Sequence, residues 1–300
     1  MIRGERVAGP RLGSVRWSQA PLVFQLESSD KALLARAATI FRPWRARNGL
    51  GPTHRWRVEP TPDHRPGNEG LWEIRSDLGT GVTVRKGSES ALLEIEYGAV
   101  QVLVEWPQGP LALHGALVAR SGQGVLLLGP AEAGKSTLAS ALWRRGWAFL
   151  CDDVALVDPE GASARPAPRR VALRHSSRDL LGHDLWERLR DTPSYARTEE
   201  GCVFHPDELD RRVRPASTGL AAVVFLARRG SPTGPACTVR LDPAHALLAM
   251  LPYSNLVRAL DPGEAIRRVR PVAEAVSAHD LARGPLDEMI RAVDGLLDRR

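Results

Sequence analysis

The sequence predicts an α/β protein of two parts, a smaller N-terminal α+β domain (1–110) and a C-terminal domain (111–300). Three observations lead to this prediction. Short apolar runs of strand length alternate with amphipathic helical segments along the chain. One buried strand leads into a glycine-rich loop and then a helix, an order typical of α/β domains. Proline and glycine between Pro107 and Pro110 indicate a linker, and they set the predicted boundary.

Composition excludes several classes of protein. Of 300 residues, 43% are hydrophobic and 25% are charged, values that allow a buried core and exclude wholesale disorder. No apolar run reaches the length of a membrane-spanning helix, and the N-terminus lacks the apolar centre of a secretory signal. Cys151, Cys202 and Cys237 are few and widely spaced, which argues against a disulfide framework. We therefore expect a cytoplasmic protein without a membrane partner.

The basic residues form no binding patch. The formal net charge is +6, and only Lys31, Lys86 and Lys135 of the 41 basic residues are lysine. The arginines are spread along the chain and interleaved with acids, so a nucleic-acid partner is not expected. In such a chain each lysine stands out.

The N-terminal part is predicted to contain short strands and two helices. Residues 1–20 read as an irregular lead-in. Ser29 or Asp30 caps a first helix that ends near Phe41, and Ser90–Trp106 fits a buried helix or two strands, with the helix favoured. The predicted strands are Pro21–Glu27, Trp56–Val58, Leu71–Ile74 and Val82–Arg85.

The C-terminal part begins with a predicted hairpin. Its strands, Ala112–Ala119 and Gly124–Leu128, flank a Ser-Gly-Gln-Gly turn. Residues 159–170 read as a loop rich in proline and arginine. The other predicted elements are a helix from Gly134 to Arg145 ended by Gly146, strands Trp147–Cys151, Val154–Asp158 and Leu220–Ala227, a short helix Asp184–Arg190, and helices that begin at Asp242, at Asp261 and before Leu286.

The strongest chemical signal is a match to the P-loop pattern GxxxxGK[ST]. It follows a buried strand and opens an amphipathic helix, as the motif requires. Backbone N–H groups of such a loop and the positive end of the helix bind phosphates. Lys135 would contact the β- and γ-phosphates of ATP, and the Ser136 hydroxyl would bind Mg²⁺. The predicted nucleotide-binding residues are Gly129, Pro130, Ala131, Glu132, Ala133, Gly134, Lys135, Ser136 and Thr137.

Glu132 is unusual inside such a loop. A carboxylate close to phosphates is repelled unless it points outward, so we expect the Glu132 side chain to face solvent.

Two adjacent acids, Asp152 and Asp153, follow the strand Trp147–Cys151. In P-loop proteins, a carboxylate at the end of a neighbouring strand positions Mg²⁺ and can activate a nucleophile. Side chains alternate along a strand, so the two acids should point in opposite directions. We predict that Asp153 is the general base and that Asp152, with Ser136, binds the metal.

His114 heads the predicted hairpin in a His-Gly pair. A lone histidine is more often structural than catalytic. Here a His-Gly strand, the P-loop and a strand that ends in Asp-Asp follow one another in order, which makes His114 a candidate catalytic residue. Next to the acids, it should lower the pKa of both by charge pairing.

Residues 114–158, HGALVARSGQGVLLLGPAEAGKSTLASALWRRGWAFLCDDVALVD, resemble the catalytic domain of HPr kinase/phosphorylase and its HPr-kinase-like relatives. Weaker similarity extends over about 111–300. The resemblance implies a P-loop kinase fold of the phosphoenolpyruvate carboxykinase type and Mg-ATP-dependent phosphorylation of a serine. It implies that 129–137 bind nucleotide and metal, that Asp152 and Asp153 supply metal contact and base, and that His114 lies against them.

Two departures limit what the resemblance implies. Glu132 replaces a glycine usual in the family's loop, and RRVALRHSSRDLLG, from Arg169 to Gly182, replaces the family's glycine-rich signature. Residues 1–110 do not resemble the regulatory domain of those enzymes. A related kinase with a different substrate is therefore predicted, and the sequence leaves open whether it also catalyses phosphorolysis.

The leading prediction is an ATP-dependent kinase that phosphorylates a serine or threonine hydroxyl. The acceptor would be a peptide, a small protein or a small hydroxyl metabolite, and residues 1–110 would bind it. Two alternatives are a nucleotide-binding regulatory module with little turnover and a carboxykinase-like enzyme, for which no metal-binding Lys/His set is evident. Arg211, Arg212 and Arg214 read as a solvated loop, with contact to the transferred phosphoryl group as the alternative.

Overall fold

The computed structural model describes residues 12–19, 22–44, 51–62, 70–77, 79, 81–106, 110–158, 160, 163–209, 217–226, 235–255 and 261–297. The chain divides into two compact units, Met1–Ala99 and Val100–Arg300. Both combine helices with sheets, so the fold is mixed α/β, as the sequence predicts. No helix among the described residues is long and apolar enough to span a bilayer.

The N-terminal unit is built on a five-stranded sheet in the order β1-β2-β3-β4-β5. β2 and β3 are parallel, and the other pairs are antiparallel. Asp30 caps α1 by accepting a hydrogen bond from the Leu33 backbone N–H at 2.8 Å. The elements are β1 (Gly13–Gln19), β2 (Leu22–Ser28), α1 (Lys31–Ile40), β3 (Thr53–Pro60), β4 (Leu71–Ser76), β5 (Val82–Lys86) and α2 (Ser88–Glu105).

Aromatic side chains form the centre of this unit. Trp17, Phe24 and Phe41 are fully buried, and the rings of Trp17 and Phe41 stack with centroids 3.8 Å apart. Trp17 lies on β1, so the prediction of an irregular lead-in over 1–20 is wrong for 13–19. The strand forms because it pairs along its whole length with β2, the next strand in the chain, although its own sequence, GSVRWSQ, is mostly polar.

Ser90–Glu105 is helical, as favoured from the sequence, and forms most of α2, which ends one residue before the predicted Trp106. The division between the two compact units falls inside this helix, between Ala99 and Val100. The sequence-based boundary lay at the proline- and glycine-containing segment near residue 110.

The second unit contains an eight-stranded sheet. Seven strands follow the order β10-β9-β6-β7-β14-β16-β15, and β8 pairs with β6. The elements in chain order are β6 (Leu111–Arg120), β7 (Gln123–Leu128), α3 (Lys135–Arg144), β8 (Ala148–Cys151), β9 (Val154–Asp158), β10 (Ser163–Pro166), β11 (Val171–Arg174), α4 (Arg178–Leu181), α5 (His183–Arg190), β12 (Ala196–Arg197), β13 (Gly201–Phe204), β14 (Thr218–Leu226), β15 (Thr238–Leu241), α6 (Pro243–Met250), α7 (Pro262–Ala275), β16 (Ser277–Leu281) and α8 (Leu286–Leu297).

The predicted hairpin is confirmed: β6 and β7 are antiparallel and joined at Ser121-Gly122, both with positive φ. β7 is also parallel to β14, so the strand that enters the glycine-rich loop is central in the sheet. Residues of α3 pack in one apolar cluster, and residues of α6 and α7 pack in a second one. This layered core fixes the start of α3 relative to the strands.

Several strands were not predicted. Residues 163–166 of the predicted loop form β10, which pairs with β9 and β14, so that prediction is wrong there. The sequence also did not predict β15, β16 or the separate three-stranded sheet β11-β13-β12. All are short, and their pairing partners stabilise them rather than their own apolar pattern; β10, for example, pairs with the neighbouring β9 and with the distant β14.

Candidate functional site

The glycine-rich loop connects β7 to α3. Gly134 has φ 93°, a left-handed conformation that favours glycine, and it immediately precedes Lys135 at the start of the helix. At Gly129, an added Cβ would lie 3.0 Å from the Leu226 carbonyl oxygen of the neighbouring β14. The two glycines of the motif thus allow a tight turn and a close approach to the next strand.

Lys135 folds back over this loop. Its Nζ donates hydrogen bonds to the carbonyl oxygens of Gly129 at 2.7 Å and Pro130 at 3.0 Å. Burial lowers the pKa of Lys135, and the nearby charge of Asp153 opposes this shift. The ammonium group therefore lies at the loop and within electrostatic range of the acid, as a phosphate-binding lysine requires.

Glu132 adopts a left-handed conformation with φ 65° in the middle of the loop. Its side chain is 79% exposed, and its Oε1 lies 3.4 Å from a guanidinium nitrogen of Arg174 on β11. The carboxylate points outward, as expected from the repulsion between it and bound phosphates. The backbone conformation also explains why glycine is favoured at such a position.

The hydroxyl residues of the motif lie on the first turn of α3. Ser136 and Thr137 are half-buried, and the backbone carbonyl of Ser136 accepts a hydrogen bond from the Ser140 hydroxyl at 2.7 Å. The hydroxyl oxygens of Thr137 and Ser177 lie 3.5 Å apart. Ser136 is thus the second residue of α3, next to the loop.

Asp152 and Asp153 occupy a break between two strands. β8 and β9 both run antiparallel to β6, and the two acids lie where one ends and the other begins. The backbone N–H of Gly115 donates to the Asp153 carbonyl oxygen at 2.8 Å, which holds the break against β6. The same contact places the adjacent residue, His114, beside the acids.

Asp152 is the more buried of the pair, with 8% of its surface exposed. Its Oδ2 accepts a hydrogen bond from the Ala172 backbone N–H at 3.1 Å. Burial raises the pKa of Asp152 to about 6, while the charge of Arg169 acts in the opposite direction. The prediction that both acids have a lowered pKa is therefore wrong for Asp152, because desolvation of its carboxylate outweighs charge pairing.

Asp153 is held on both sides by basic groups, and its side chain is 29% exposed. Its Oδ1 lies 2.8 Å from His114 Nδ1, and its Oδ2 forms an ion pair with the Arg169 guanidinium. Burial raises its pKa, but the hydrogen bond from His114 and the charges of Arg169, His114 and Lys135 outweigh it, so the pKa of Asp153 is lowered.

The structure thus brings His114, Lys135, Asp152 and Asp153 into one site and adds Arg169, which the sequence did not single out. Arg169 is one of 38 arginines in the chain and lies in a segment predicted to be a loop, so nothing in the nearby sequence distinguishes it from the others. The three arginines considered instead, Arg211, Arg212 and Arg214, lie outside the described residues.

The donor set fits Mg²⁺. Asp152, Asp153 and the Ser136 hydroxyl offer hard oxygen atoms, the ligands this ion prefers. Within the described part of the chain, no group of three His, Cys, Asp or Glu residues could hold a metal by itself.

The burial of Asp152 predicts a pH-dependent stability. The folded-state pKa of about 6 exceeds the ordinary 3.8, so this carboxyl contributes stability below about pH 4, and the contribution is lost as pH rises through 6. The loss is on the order of 3 kcal/mol at most. Without Mg²⁺ and nucleotide, Asp152→Asn should therefore raise the melting temperature at pH 7.5 and flatten its dependence between pH 4 and 7.

The matched control for this prediction is Asp158→Asn, which changes an exposed carboxylate at the end of β9. Thermal unfolding followed by circular dichroism across the pH range measures both variants. A melting temperature of Asp152→Asn at or below that of the unchanged protein at pH 7.5 would contradict the assignment of a destabilising buried carboxylate.

Comparisons with known proteins cover this region. A protein-family profile described as "SynChlorMet cassette protein ScmC" matches residues 87–177, less than half of the chain, and the match includes every residue of the site named above. No curated protein matches the chain. Among solved structures, the chain is similar to the HPr(Ser) kinase/phosphatase from Coxiella burnetii, at 15% identity and a TM-score of 0.34, over 62% of this chain and 88% of that chain. A similarity of this size supports no statement about activity.

Proposed function

We propose that this protein is an ATP-dependent kinase that transfers the γ-phosphoryl group of Mg-ATP to a serine or threonine hydroxyl. One observation carries the proposal. The Asp153 carboxylate, in contact with His114, lies within electrostatic range of Lys135 on the glycine-rich loop. A phosphate-binding cation and a candidate base thus share one site, as phosphoryl transfer to a hydroxyl requires.

The loop supplies the phosphate-binding part of the mechanism. Backbone N–H groups of Gly129–Gly134 and the start of α3 would bind the phosphates. Lys135, now bonded to two loop carbonyls, would exchange these for β- and γ-phosphate oxygens. Ser136 and Asp152 would hold Mg²⁺, which neutralises charge on the phosphates when it is bound.

The second part of the proposed mechanism is the activation of the acceptor hydroxyl by an acid. Asp153, the more exposed of the two, would accept a hydrogen bond from the acceptor hydroxyl and take its proton as the oxygen attacks the γ-phosphorus. The bond between the γ-phosphorus and the β,γ-bridging oxygen would break in the same step, and ADP would leave. His114 contacts Asp153 Oδ1 and fixes the orientation of the carboxylate. The acceptor is proposed to be a peptide or small protein, and its binding by residues 1–110 stays a prediction.

A transfer assay tests this function. The purified chain is incubated with γ-labelled ATP, Mg²⁺ and small peptides or proteins encoded beside its gene, each paired with a version whose serines and threonines are alanine. The proposal predicts label on the hydroxyl-bearing acceptor only. Equal labelling of both versions would contradict hydroxyl phosphorylation.

One observation favours a second function, a nucleotide-binding regulatory module with little turnover. Both carboxylate oxygens of Asp153 contact basic side chains, and its pKa is lowered, which weakens it as a base. Such a module would need Lys135 for nucleotide binding and neither acid for chemistry. Tight ATP binding with no transfer to any acceptor of the assay would favour this module over the kinase.

A further inference from the structure

Arg169 is fixed in the site by its backbone as well as by its side chain. The Ala167 N–H donates to the Val154 carbonyl oxygen at 3.2 Å, and the Arg169 N–H donates to the Ala167 carbonyl oxygen at 2.8 Å. The next residue, Arg170, is fully buried and bonds the Ser194 carbonyl oxygen at 2.9 Å. Only 7% of the surface of Arg169 is exposed, so its side chain is buried within the site and does not lie on the protein surface.

The segment that carries Arg169 contacts both acids. The Arg169 guanidinium pairs with Asp153 Oδ2, and three residues later the Ala172 N–H bonds Asp152 Oδ2. The positive charge of Arg169 acts to lower the pKa of both acids, although burial still raises the pKa of Asp152 above its ordinary value. Two adjacent carboxylates, one buried and one partly exposed, repel one another, so a counter-cation stabilises them, and Arg169 is placed to act on both.

We propose that Arg169 is the built-in counter-cation of the Asp152–Asp153 pair and that it keeps Mg²⁺ from binding this pair before nucleotide arrives. The inference rests on the proposed function only in taking Mg²⁺ as the cation. Both carboxylate oxygens of Asp153 already contact basic side chains, those of His114 and Arg169. The Arg169 guanidinium also repels a divalent ion that approaches the two acids. Nucleotide phosphates bring the negative charge that offsets this repulsion, so the metal enters together with ATP.

Arg169 is therefore a positioning residue, which acts on the metal through the acids. A merely structural role would change stability without changing the response to Mg²⁺. The response of the nucleotide-free protein to the metal separates the two roles, because it needs neither ATP nor an acceptor.

The experiment titrates MgCl₂ alone into nucleotide-free protein at pH 8, by calorimetry and by thermal unfolding. We expect Arg169→Met to bind Mg²⁺ about 10- to 100-fold more tightly than the unchanged protein, since one positive charge near a divalent ion is removed. Arg169→Lys, which keeps the charge, should stay close to the unchanged protein. Arg120→Met, which removes the ion pair with Asp294 outside the site, should lower the melting temperature without any gain in Mg²⁺ affinity.

A further variant locates the effect. Combining Arg169→Met with Asp153→Asn should abolish the gain in affinity, because the second acid is then missing. If Arg169→Met unfolds in metal-free buffer, the expected result is recovery of its fold on addition of Mg²⁺. Mg²⁺ affinity or thermal shift equal to that of the unchanged protein would overturn the proposal. Absence of phosphoryl transfer would overturn the kinase alone, since this titration uses no ATP.

Discussion

Replacing Asp153 with asparagine is expected to reduce phosphoryl transfer by about 10²- to 10⁴-fold while ATP binding is retained. The amide has the shape of the carboxylate but cannot take a proton from the acceptor hydroxyl. Asp153 contacts His114 and Arg169 and interacts electrostatically with Lys135, so its loss affects the chemical step directly. Initial rates with labelled ATP, together with ATP affinity by calorimetry, measure the two effects separately.

The control is again Asp158→Asn, an exposed acid in the strand that follows the site. It should transfer phosphate at the rate of the unchanged protein. Both variants are assayed below their melting temperatures, because Asp153→Asn leaves the buried Arg169 with one partner fewer. Full activity in Asp153→Asn would remove this residue from the role of base.

Changing Lys135 to alanine is expected to weaken Mg-ATP binding by about 100-fold or more. The phosphates lose the only cation carried by the loop, and each charge-assisted hydrogen bond contributes roughly 1.5–3 kcal/mol. The ammonium group already lies against the Gly129 and Pro130 carbonyls, so no large movement is needed for it to reach a phosphate bound there. Calorimetric titration with Mg-ATP measures the loss.

Two variants separate charge from packing in this prediction. Lys135→Met keeps the apolar stem and should lose nearly as much affinity as Lys135→Ala. Lys31→Ala changes an exposed lysine at the start of α1 and should bind Mg-ATP normally. Unchanged affinity in both Lys135 variants would show that the glycine-rich loop does not bind phosphates through this side chain.

Much of the local structure follows from the sequence alone. Hairpin β6–β7, the strand–loop–helix unit around Gly134 and the caps at Asp242 and Asp261 were all predicted and are present. These features depend on neighbouring residues, because a turn, a cap or an apolar face is encoded within a few positions. β1 and β10 were missed because polar residues interrupt their sequences. β15 and β16 were missed because they pair with each other although helices α6 and α7 separate them in the chain.

The site residues also divide into those that motifs in the sequence identify and those whose role depends on tertiary contacts. Motif spacing singled out Lys135, Asp152, Asp153 and His114, and the structure places them together. Arg169 was missed because its contact with Asp153 depends on how the segment after β10 folds back onto the start of β9. The raised pKa of Asp152 was also missed. It depends on the burial of this side chain next to β11, a strand that the sequence did not predict.

The most direct test of the central claim is a single-turnover experiment with γ-labelled ATP prebound to the unchanged protein and to Asp153→Asn. Peptide or small-protein acceptor is then added, with Mg²⁺ present from the first step, and labelled phosphoserine or phosphothreonine is quantified over time. The account predicts rapid transfer in the unchanged protein and slow or absent transfer in the variant, with equal amounts of ATP bound at the start. Equal rates in the two proteins, or bound ATP with no transfer by the unchanged protein, would contradict it.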